Sequence, residues 1–316
     1  MGKVAVLLNP SAGKGRALRE KEKIEYFFQK AGIDYDLFIS TSEEHLRRLA
    51  GVAAGSRAAI IGVGGDTTFK IIAAEILKKR SREKTQPAPV LGMIGAGSAN
   101  DIARALQVRD VAALCEAVRD GAIREMDTGC LRIAGREEPL WFLGSLSAGL
   151  GAAVNRYIEA FCRRHPRLGK FPLFGQALPG TAAVRHAFIN RLVPLEAVLE
   201  YDGTKKEIVF SLLVFANIPY YANGMRFHPR ISPFDGQLDA VVIHTGSLRH
   251  TLKFALRAGR QKHFQDKEFE IISSPSFRLT FPDPVDVQLD GDIVGGLESF
   301  EVSLLPGALR VFSVNQ

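Results

Sequence analysis

The sequence predicts an α/β amino-terminal domain built on a parallel β-sheet, followed by a second, β-rich domain that resembles an antiparallel sandwich. Two observations support this fold class. Strand and helix patterns alternate over the first 125 residues, which is typical of parallel strands covered by helices on both faces. After Arg124 the strand patterns follow one another, with Gly, Pro or Asp in the turns. We therefore expect domains over residues 1–125 and 126–305, with residues 306–316 available to pack back on the first.

The predicted elements follow the hydrophobic periodicity of the chain. In the first domain, strand patterns lie at 4–8, 34–39, 58–63 and 90–94. Helix patterns lie at 16–31, 43–53, 69–79, 101–106 and 111–120. In the second domain we predict strands at 128–134, 141–146, 195–201, 207–215, 237–244, 276–281, 285–289, 300–304 and 308–314, and helices near 151–191 and 248–263.

The charge of the chain favours an anionic partner. Its net charge is +7 and its pI is near 9.4, which suits a nucleotide, a nucleic acid or an acidic membrane face. Because no nucleic-acid-binding motif is present, we expect no nucleic-acid partner. The three cysteines lack paired spacing, which indicates a reducing compartment such as the cytoplasm. No apolar run approaches the 18 residues typical of a membrane-spanning helix.

The most informative motif is Gly-Gly-Asp-Thr-Thr at residues 64–68, between a strand pattern and a helix pattern. Gly64 and Gly65 allow the backbone to pass close to a bulky anion, and the helix that follows directs its free N–H groups at that anion. Asp66 would repel a phosphate, but it can hold a metal ion or accept a proton from an attacking hydroxyl. The motif therefore predicts a nucleotide site that carries out phosphoryl transfer.

Two further loops follow predicted strands of the same sheet. Residues 9–15, Asn-Pro-Ser-Ala-Gly-Lys-Gly, are not a Walker A loop, because Gly15 stands where Ser or Thr is required. Residues 95–101 begin like a dinucleotide fingerprint, but Asn100 replaces the third glycine. Asn100 and Asp101 can instead cap a helix and bind a nucleotide. Since parallel sheets bind ligands at the carboxyl ends of their strands, we expect the three loops to form one site.

Together these motifs resemble the diacylglycerol kinase catalytic-domain family, which includes sphingosine and ceramide kinases and bacterial lipid kinases. The family pattern is N-P-x-[SA]-G-x-G, then G-G-D-G-T, then G-T-x-N-D-[FI]-A. It is matched here, in this order, by residues 9–15, 64–68 and 97–103, and the second domain adds residues 220–225, 233–239 and 289–292. Residues 289–292, Leu-Asp-Gly-Asp, are similar to the family's D-G-E. The resemblance implies a fold of the NAD kinase and diacylglycerol kinase type.

The resemblance also implies an activity: transfer of the γ-phosphate of ATP to a lipid hydroxyl, with Mg²⁺. The acceptor stays open between diacylglycerol, ceramide, a sphingoid base and another lipid alcohol. By position, the nucleotide-binding residues would be Asn9, Pro10, Ser11, Gly13, Thr41, Gly64, Gly65, Asp66, Thr67, Thr68, Gly97, Ser98, Asn100 and Asp101.

Three carboxylates are candidates for the general base. The family's D-G-E motif implies Asp292, with Asp290 beside it, whereas related lipid kinases imply Asp66. Residues 290–292 are also a natural hairpin signal. The resemblance further implies a structural magnesium site at Ser232, Asp235 and Gln237, where the first and last would bind through backbone oxygens. The alternative is that Asp235 begins a plain turn before a strand.

Residues 155–194 carry seven Arg or Lys side chains against one acid, Glu159, with aromatic residues between them. This pattern is typical of a surface that lies on anionic lipid. The candidate membrane-surface residues are Arg163, Arg164, Arg167 and Lys170. Such a surface predicts peripheral association with the inner face of the membrane. The alternative is a solvated basic helix pair whose aromatic residues face the core.

The chain departs from the family pattern at several positions. Thr67 replaces a glycine, and if that position requires a positive φ, the strain costs about 1–3 kcal/mol. Lys70 and Ile71 replace Asn and Glu, and Gly151 stands where many members carry aspartate. Two other functions therefore stay open: an NAD kinase-like enzyme, which would share the Gly-Gly-Asp motif, and a nucleotide- or lipid-binding pseudokinase. The sequence is also compatible with a homodimer.

Overall fold

The chain divides into two compact units. The computed structural model describes residues 3–82, 88–164, 194–222, 224–244, 257, 263 and 266–313, without the side chain of Cys162. Unit 1 consists of Met1–Thr128, Pro233–Asp235 and Pro306–Gln316, and unit 2 of Gly129–Ser232 and Gly236–Leu305. Among the described residues, no helix is both long and apolar enough to span a membrane.

Unit 1 contains a parallel sheet in the order β2-β1-β3-β4. Its strands are β1 (Val4–Leu8), β2 (Tyr35–Ile39), β3 (Ala59–Gly64) and β4 (Val90–Gly95). Every residue of β1 and β3 is buried, as expected for strands covered on both faces. The parallel α/β fold predicted for this part of the chain is confirmed.

The helices of unit 1 follow the strands. They are α1 (Arg16–Lys30), α2 (Glu43–Ala54), α3 (Asp66–Arg82), α4 (Asp101–Ala105) and α5 (Val111–Asp120). Side chains cap two of them: Ser42 accepts a hydrogen bond from the N–H of His45 at 3.1 Å, and Asp110 from that of Ala113 at 2.9 Å. A short 3₁₀ turn, Ala12–Gly15, precedes α1.

The strand order creates a crevice at the carboxyl edge of the sheet. From β1 the chain crosses to β2 on one side, whereas from β3 it crosses to β4 on the other. The crevice between the carboxyl ends of β1 and β3 is therefore the switch point at which open parallel sheets bind ligands. Asn9 follows β1 there, and Gly65 follows β3.

Unit 2 is built from antiparallel strands. The remaining strands of the chain are β5 (Ile123–Arg132), β6 (Leu140–Phe142), β7 (Ser145–Gly149), β8 (Leu195–Tyr201), β9 (Thr204–Phe210), β10 (Leu212–Ala216), β11 (Tyr220–Tyr221), β12 (Met225–Arg226), β13 (Leu238–Ile243), β14 (Phe269–Ser274), β15 (Ser276–Leu289) and β16 (Asp292–Phe312). Six of them pair in the order β14-β13-β10-β7-β15-β16. The β-rich sandwich-like second domain is confirmed.

Strand β15 changes partner along its length. Residues 278–280 pair with β8, whereas residues 287–289 pair with β7, and the register shifts between them. Pro282 and Pro284 lie in that interval and cannot donate ladder hydrogen bonds, which explains the irregularity. Before Pro282, Phe277, Leu279 and Phe281 alternate into the core of unit 2.

The observed elements correct four sequence predictions. The strand predicted at 207–215 is divided into β9 and β10. The strands predicted at 276–281 and 285–289 are one strand, β15, and those at 300–304 and 308–314 are parts of β16. The strand predicted at 141–146 is divided into β6 and β7. Helix α6 (Leu150–Arg164) begins the helix predicted at 151–191, whose remainder lies outside the described residues, as does most of 248–263.

Within unit 2, a polar network lies next to Gly151 of helix α6. Tyr221 Oη lies 3.1 Å from Ser147 Oγ, and Gln288 Nε2 donates to both, at 2.7 and 2.6 Å respectively. A Cβ atom on Gly151 would lie 2.3 Å from Tyr221 Oη and 2.8 Å from Ser147 Oγ. Both distances are shorter than any ordinary contact, so these side chains require glycine at position 151.

We expect Gly151→Ala and Gly51→Ala, both inside helices, to change stability in opposite directions. The Gly151→Ala variant should be destabilised by about 1–3 kcal/mol, because its methyl group overlaps the Tyr221 hydroxyl. In α2, a Cβ on Gly51 meets its nearest atom, Glu75 Oε2, at 3.6 Å. Gly51→Ala should therefore stabilise the protein by about 0.5–1 kcal/mol.

Thermal unfolding monitored by circular dichroism measures both effects. The midpoint should fall for Gly151→Ala and rise for Gly51→Ala. A midpoint equal to wild type for Gly151→Ala would show that Tyr221 moves away without cost.

Candidate active site

The side chain of Asn9 ties the loop after β1 to the first turn of α3. Its Oδ1 accepts hydrogen bonds from the N–H and the hydroxyl of Ser11, at 3.2 and 2.8 Å. Its Nδ2 donates to Thr68 Oγ1 at 3.2 Å, and its backbone N–H donates to the carbonyl of Val63 at 3.0 Å. Asn9 and Thr68, predicted from two separate motifs, are therefore in direct contact.

Glycines allow the three loops of unit 1 to meet backbone to backbone. Gly13 has a φ of 57°, and a Cβ there would lie 1.9 Å from the carbonyl oxygen of Ala96. A Cβ on Gly97 would lie 2.4 Å from Gly65 Cα. Arg16 adds a side-chain hydrogen bond to the carbonyl of Gly97. The loops after β1, β3 and β4 thus form one surface, as the sequence predicts for a single site.

Asp66 connects the start of α3 to the start of α4. Its carboxylate accepts hydrogen bonds from the backbone N–H groups of Asp101 at 3.2 Å and Ile102 at 3.1 Å. Burial raises the pKa of Asp66 above its ordinary value, and the nearby charge of Asp101 raises it further, although the two N–H bonds oppose this shift. Burial thus disfavours the ionised form of Asp66, whereas the two N–H bonds favour it.

Asn100 shapes the loop that leads into α4. It adopts the left-handed conformation, with a φ of 57°, which asparagine tolerates better than most residues. Its Oδ1 accepts from the N–H of Gly97 at 2.7 Å, and its Nδ2 donates to the carbonyl of Gly97 at 3.1 Å. The side chain that replaces the third fingerprint glycine thus holds the turn closed on itself.

Two carboxylates of unit 1, those of Asp66 and Asp101, lie near each other. Asp66 and Asp101 lie close enough for the charge of Asp101 to raise the pKa of Asp66, and the Asp101–Arg104 ion pair at 2.8 Å offsets part of this repulsion. Mg²⁺ is commonly bound by one or two carboxylates together with substrate phosphates. Asp66 and Asp101 are therefore the residues that would hold a magnesium ion with a nucleotide.

Thr67 is accommodated without backbone strain. Helix α3 begins at Asp66, so Thr67 lies in its first turn, and Thr67 is not among the residues with positive φ. Its side chain is exposed, whereas Thr68 is buried. The cost considered for a β-branched residue at this position therefore does not arise.

The remaining predicted nucleotide residues lie on loops of unit 1. Pro10 and Ser11 follow Asn9, and Ser98 is exposed in the loop after β4. Thr41 is exposed after the edge strand β2, where its N–H and Oγ1 lie 3.2 and 3.0 Å from His45 Nδ1. Strand β1 therefore lies between Thr41 and the crevice that separates β1 from β3, although Thr41 is at the same edge of the sheet.

In unit 2, Asp290 and Gly291 form a two-residue hairpin turn between β15 and β16. Their φ values, 48° and 94°, suit a type I′ turn, and Leu289 pairs with Asp292 across it. The Asp290 carboxylate accepts three backbone N–H bonds at 2.8–2.9 Å, from Leu143, Gly144 and Ser145. Asp292 is exposed at the start of β16. Asp290 therefore fixes the turn that presents Asp292.

The residues of the predicted structural magnesium site surround another turn. Gly236 has a φ of 71°, and Asp235 and Gln237 are exposed, whereas Ser232 is half-buried. Asp235 belongs to unit 1, and Ser232 and Gln237 belong to unit 2. A metal ion at these residues stays a prediction.

The described part of the basic segment is helix α6. Arg163 and Arg164 are exposed at its carboxyl end, and Tyr157 and Phe161 stack with ring centroids 6.4 Å apart. Arg156 pairs with Asp286. The other predicted membrane-surface residues, Arg167 and Lys170, lie outside the described residues.

Sequence reasoning missed Asn155 and Gln288. Asn155 Nδ2 donates to the carbonyl of Gly291 at 2.9 Å and also bonds Gln288 Oε1. These residues lie in no motif, and in the sequence Asn155 marks only the start of the basic segment. The sole signal in the sequence is Gly151, which lies next to the network that contains them.

Models of two protein families match this chain. The diacylglycerol kinase catalytic domain matches residues 3–131, and the YegS C-terminal NAD kinase beta sandwich-like domain matches residues 144–313. The chain is 26% identical to a diacylglycerol kinase of Mycobacterium tuberculosis (strain CDC 1551 / Oshkosh), covering 98% of this chain and 95% of the relative. It is 23% identical to a diacylglycerol kinase of Bacillus subtilis (strain 168), covering 96% and 94% respectively.

A solved structure supports the same fold. The crystal structure of a diacylglycerol kinase from Bacillus anthracis str. Sterne superposes with a TM-score of 0.71 at 18% identity, covering 99% of this chain and 97% of that one. At this identity the likeness concerns the fold alone. The family models together span both units. The chain therefore belongs to the family of lipid kinases defined by the diacylglycerol kinase catalytic domain.

Proposed function

We propose that this protein transfers the γ-phosphate of ATP to the hydroxyl group of a membrane lipid. The contact between the three loops of unit 1 is the observation that carries the proposal. Asn9 bonds Thr68, Asp66 bonds the start of α4, and both contacts lie at the carboxyl edge of the sheet. Backbone N–H groups next to glycines are a common means of binding phosphates.

The nucleotide would be bound by these loops. In this proposal the triphosphate lies along Gly64, Gly65 and Thr67, next to the free N–H groups at the start of α3. A magnesium ion held by Asp66 and Asp101 would offset the phosphate charge. The loop of residues 9–15 and Ser98 contact the nucleotide from either side.

We further propose that Asp292 accepts the proton of the lipid hydroxyl. The oxygens of Asp290 already accept three backbone N–H bonds, which suits a residue that shapes the turn. The oxygens of Asp66 accept two such bonds, which suits a residue that organises loops and metal. Asp292 follows the turn that Asp290 shapes and is exposed, so an acceptor can approach it.

The alternatives make different predictions. A pseudokinase would have found support in a strained loop at Thr67, but Thr67 lies in a regular helical turn. An NAD kinase-like enzyme would share the fold of the carboxyl-terminal domain, since the matching family model is named for its likeness to the NAD kinase sandwich. The acceptor used by the protein separates these possibilities.

A transfer assay tests the proposed function. The protein is incubated with γ-labelled ATP and magnesium in mixed micelles that contain diacylglycerol, ceramide, sphingosine, monoacylglycerol or NAD. We expect label in a lipid product. Label in NADP would instead identify an NAD kinase, and ATP binding without any labelled product would favour a pseudokinase.

We expect Asp66→Asn to abolish transfer while the protein remains folded. The asparagine side chain has one acceptor oxygen, so it cannot accept both N–H bonds of α4 as the carboxylate does, and it lacks the charge that holds magnesium. Asp120→Asn, an equal change at an exposed position in unit 1, should leave the rate unchanged. Normal transfer by folded Asp66→Asn protein would remove Asp66 from the phosphate site.

The carboxyl end of α6 carries two exposed arginines, Arg163 and Arg164. We propose that the protein associates peripherally with the inner face of the membrane, with Arg163 and Arg164 on lipid phosphates. Both side chains are exposed on a helix that is amphipathic. Arg167 and Lys170 would extend this basic surface.

Charge reversal at both arginines, Arg163→Glu with Arg164→Glu, should weaken binding to anionic vesicles. Each Lys or Arg near an anionic surface contributes about 1 kcal/mol, so the loss should be large and should diminish at high salt. The control Arg19→Glu with Arg109→Glu changes net charge equally at exposed positions of unit 1. Equal sedimentation of both double variants with phosphatidylglycerol vesicles would refute a specific role for α6.

A further inference from the structure

We propose that Asn155 is a positioning residue for the phosphoryl transfer, because its side-chain amide holds the Asp290–Gly291 turn and thereby the position of Asp292. The inference rests on the proposed function for its catalytic part. Every atom that carries it lies in unit 2. Asn155 itself lies on α6, whose carboxyl end carries the exposed arginines.

The turn is held at two successive residues. The Asp290 carboxylate accepts the N–H groups of Leu143, Gly144 and Ser145. The carbonyl of Gly291 accepts from Asn155 Nδ2 at 2.9 Å. Asp292 follows directly and is exposed, so these two attachments determine where its side chain begins.

The chemistry of the contact requires an amide at position 155. Both partners of Asn155 Nδ2, the Gly291 carbonyl and Gln288 Oε1, are oxygens that it approaches as a donor. The NH₂ group has two hydrogens, so the two bonds use both of them. An aspartate has the same size but no hydrogen, and it would place a negative charge against two acceptors.

Gln288 sets the orientation of Asn155. Its Nε2 donates to Ser147 Oγ at 2.6 Å and to Tyr221 Oη at 2.7 Å, which directs its Oε1 to Asn155. Ser147 is fully buried and Gln288 is 5% exposed. Burial also raises the pKa of Tyr221, so its hydroxyl stays neutral near pH 7. A continuous set of hydrogen bonds thus links the core of unit 2 to the turn.

A positioning role predicts a specific kinetic effect. A general base must lie within about 3 Å of the oxygen whose proton it removes, so a displaced turn slows the chemical step. The nucleotide loops of unit 1 make no part of this network. We therefore expect Asn155 variants to lower kcat, calculated per folded molecule, while the KM for ATP stays unchanged. Because a loss of folded protein would also lower the apparent kcat at constant KM, the folded fraction of each variant is measured by circular dichroism.

The test compares Asn155→Asp and Asn155→Ala with Ala160→Gln, an exposed position on the same helix. We expect kcat for the lipid acceptor to fall roughly tenfold to hundredfold in both Asn155 variants and to stay at the wild-type value in Ala160→Gln. Amide hydrogen exchange, followed by mass spectrometry, should become faster in the peptide that contains residues 290–292 of both Asn155 variants. The control should exchange as wild type does.

The outcomes separate this inference from the proposed function. Wild-type kcat in folded Asn155 variants overturns the positioning role, whatever the exchange shows. If wild-type protein phosphorylates no acceptor, the proposed function is wrong. Hydrogen exchange tests the turn separately: an unchanged rate at residues 290–292 in the Asn155 variants would show that Asn155 does not stabilise the turn. Should both Asn155 variants fail to fold, Tyr221→Phe removes one hydroxyl from the network and should lower kcat in the same direction by a smaller factor.

Discussion

The contact of Asp66 with the backbone of α4 is the interaction on which the site of unit 1 depends. Two helices begin at the carboxyl edge of the sheet, and the carboxylate joins their first turns. This arrangement requires the loops to approach more closely than side chains allow, which explains the glycines at positions 13, 65 and 97. The Asp66 carboxylate can therefore reach the backbone of α4 only where glycines let the loops approach each other closely.

Two aspartates of this protein carry out similar structural work in different units. Asp66 accepts backbone N–H groups from the first turn of α4, and Asp290 accepts them from residues 143–145. Each carboxylate thereby occupies a defined location that the backbone around it determines. For Asp66 burial dominates, so the pKa is raised despite the two N–H bonds.

The parts of the fold and of the site that could be predicted from the sequence depend on residues that are close together in the chain. Parallel strands are recognisable as buried apolar runs, and the loops after β1, β3 and β4 hold their functional groups in consecutive residues. The strand boundaries of unit 2 were harder, because Pro282 and Pro284 interrupt pairing inside β15 without ending it. The effect of Thr67 also depended on where α3 begins, which the pattern of residues does not specify.

The network around Asn155 could not be predicted for a different reason. Its members, Ser147, Asn155, Tyr221 and Gln288, are separated by up to 141 positions and are common polar residues that occur on many surfaces. These residues form a network because the antiparallel pairing of β15 with β7 brings Gln288 opposite Ser147. Register of this kind is a long-range property of the folded chain.

The close contact between Gly151 and Tyr221 has a consequence for how such enzymes diverge. A larger residue at position 151 collides with the tyrosine hydroxyl, whereas loss of that hydroxyl opens a gap beside glycine. Each change made alone in the wild-type protein has a structural cost, so the order in which the two substitutions occur matters. A lineage that changes both positions avoids the steric overlap with this hydroxyl if Tyr221→Phe comes first and the glycine is replaced afterwards. The effect of a substitution at either position therefore depends on the residue at the other.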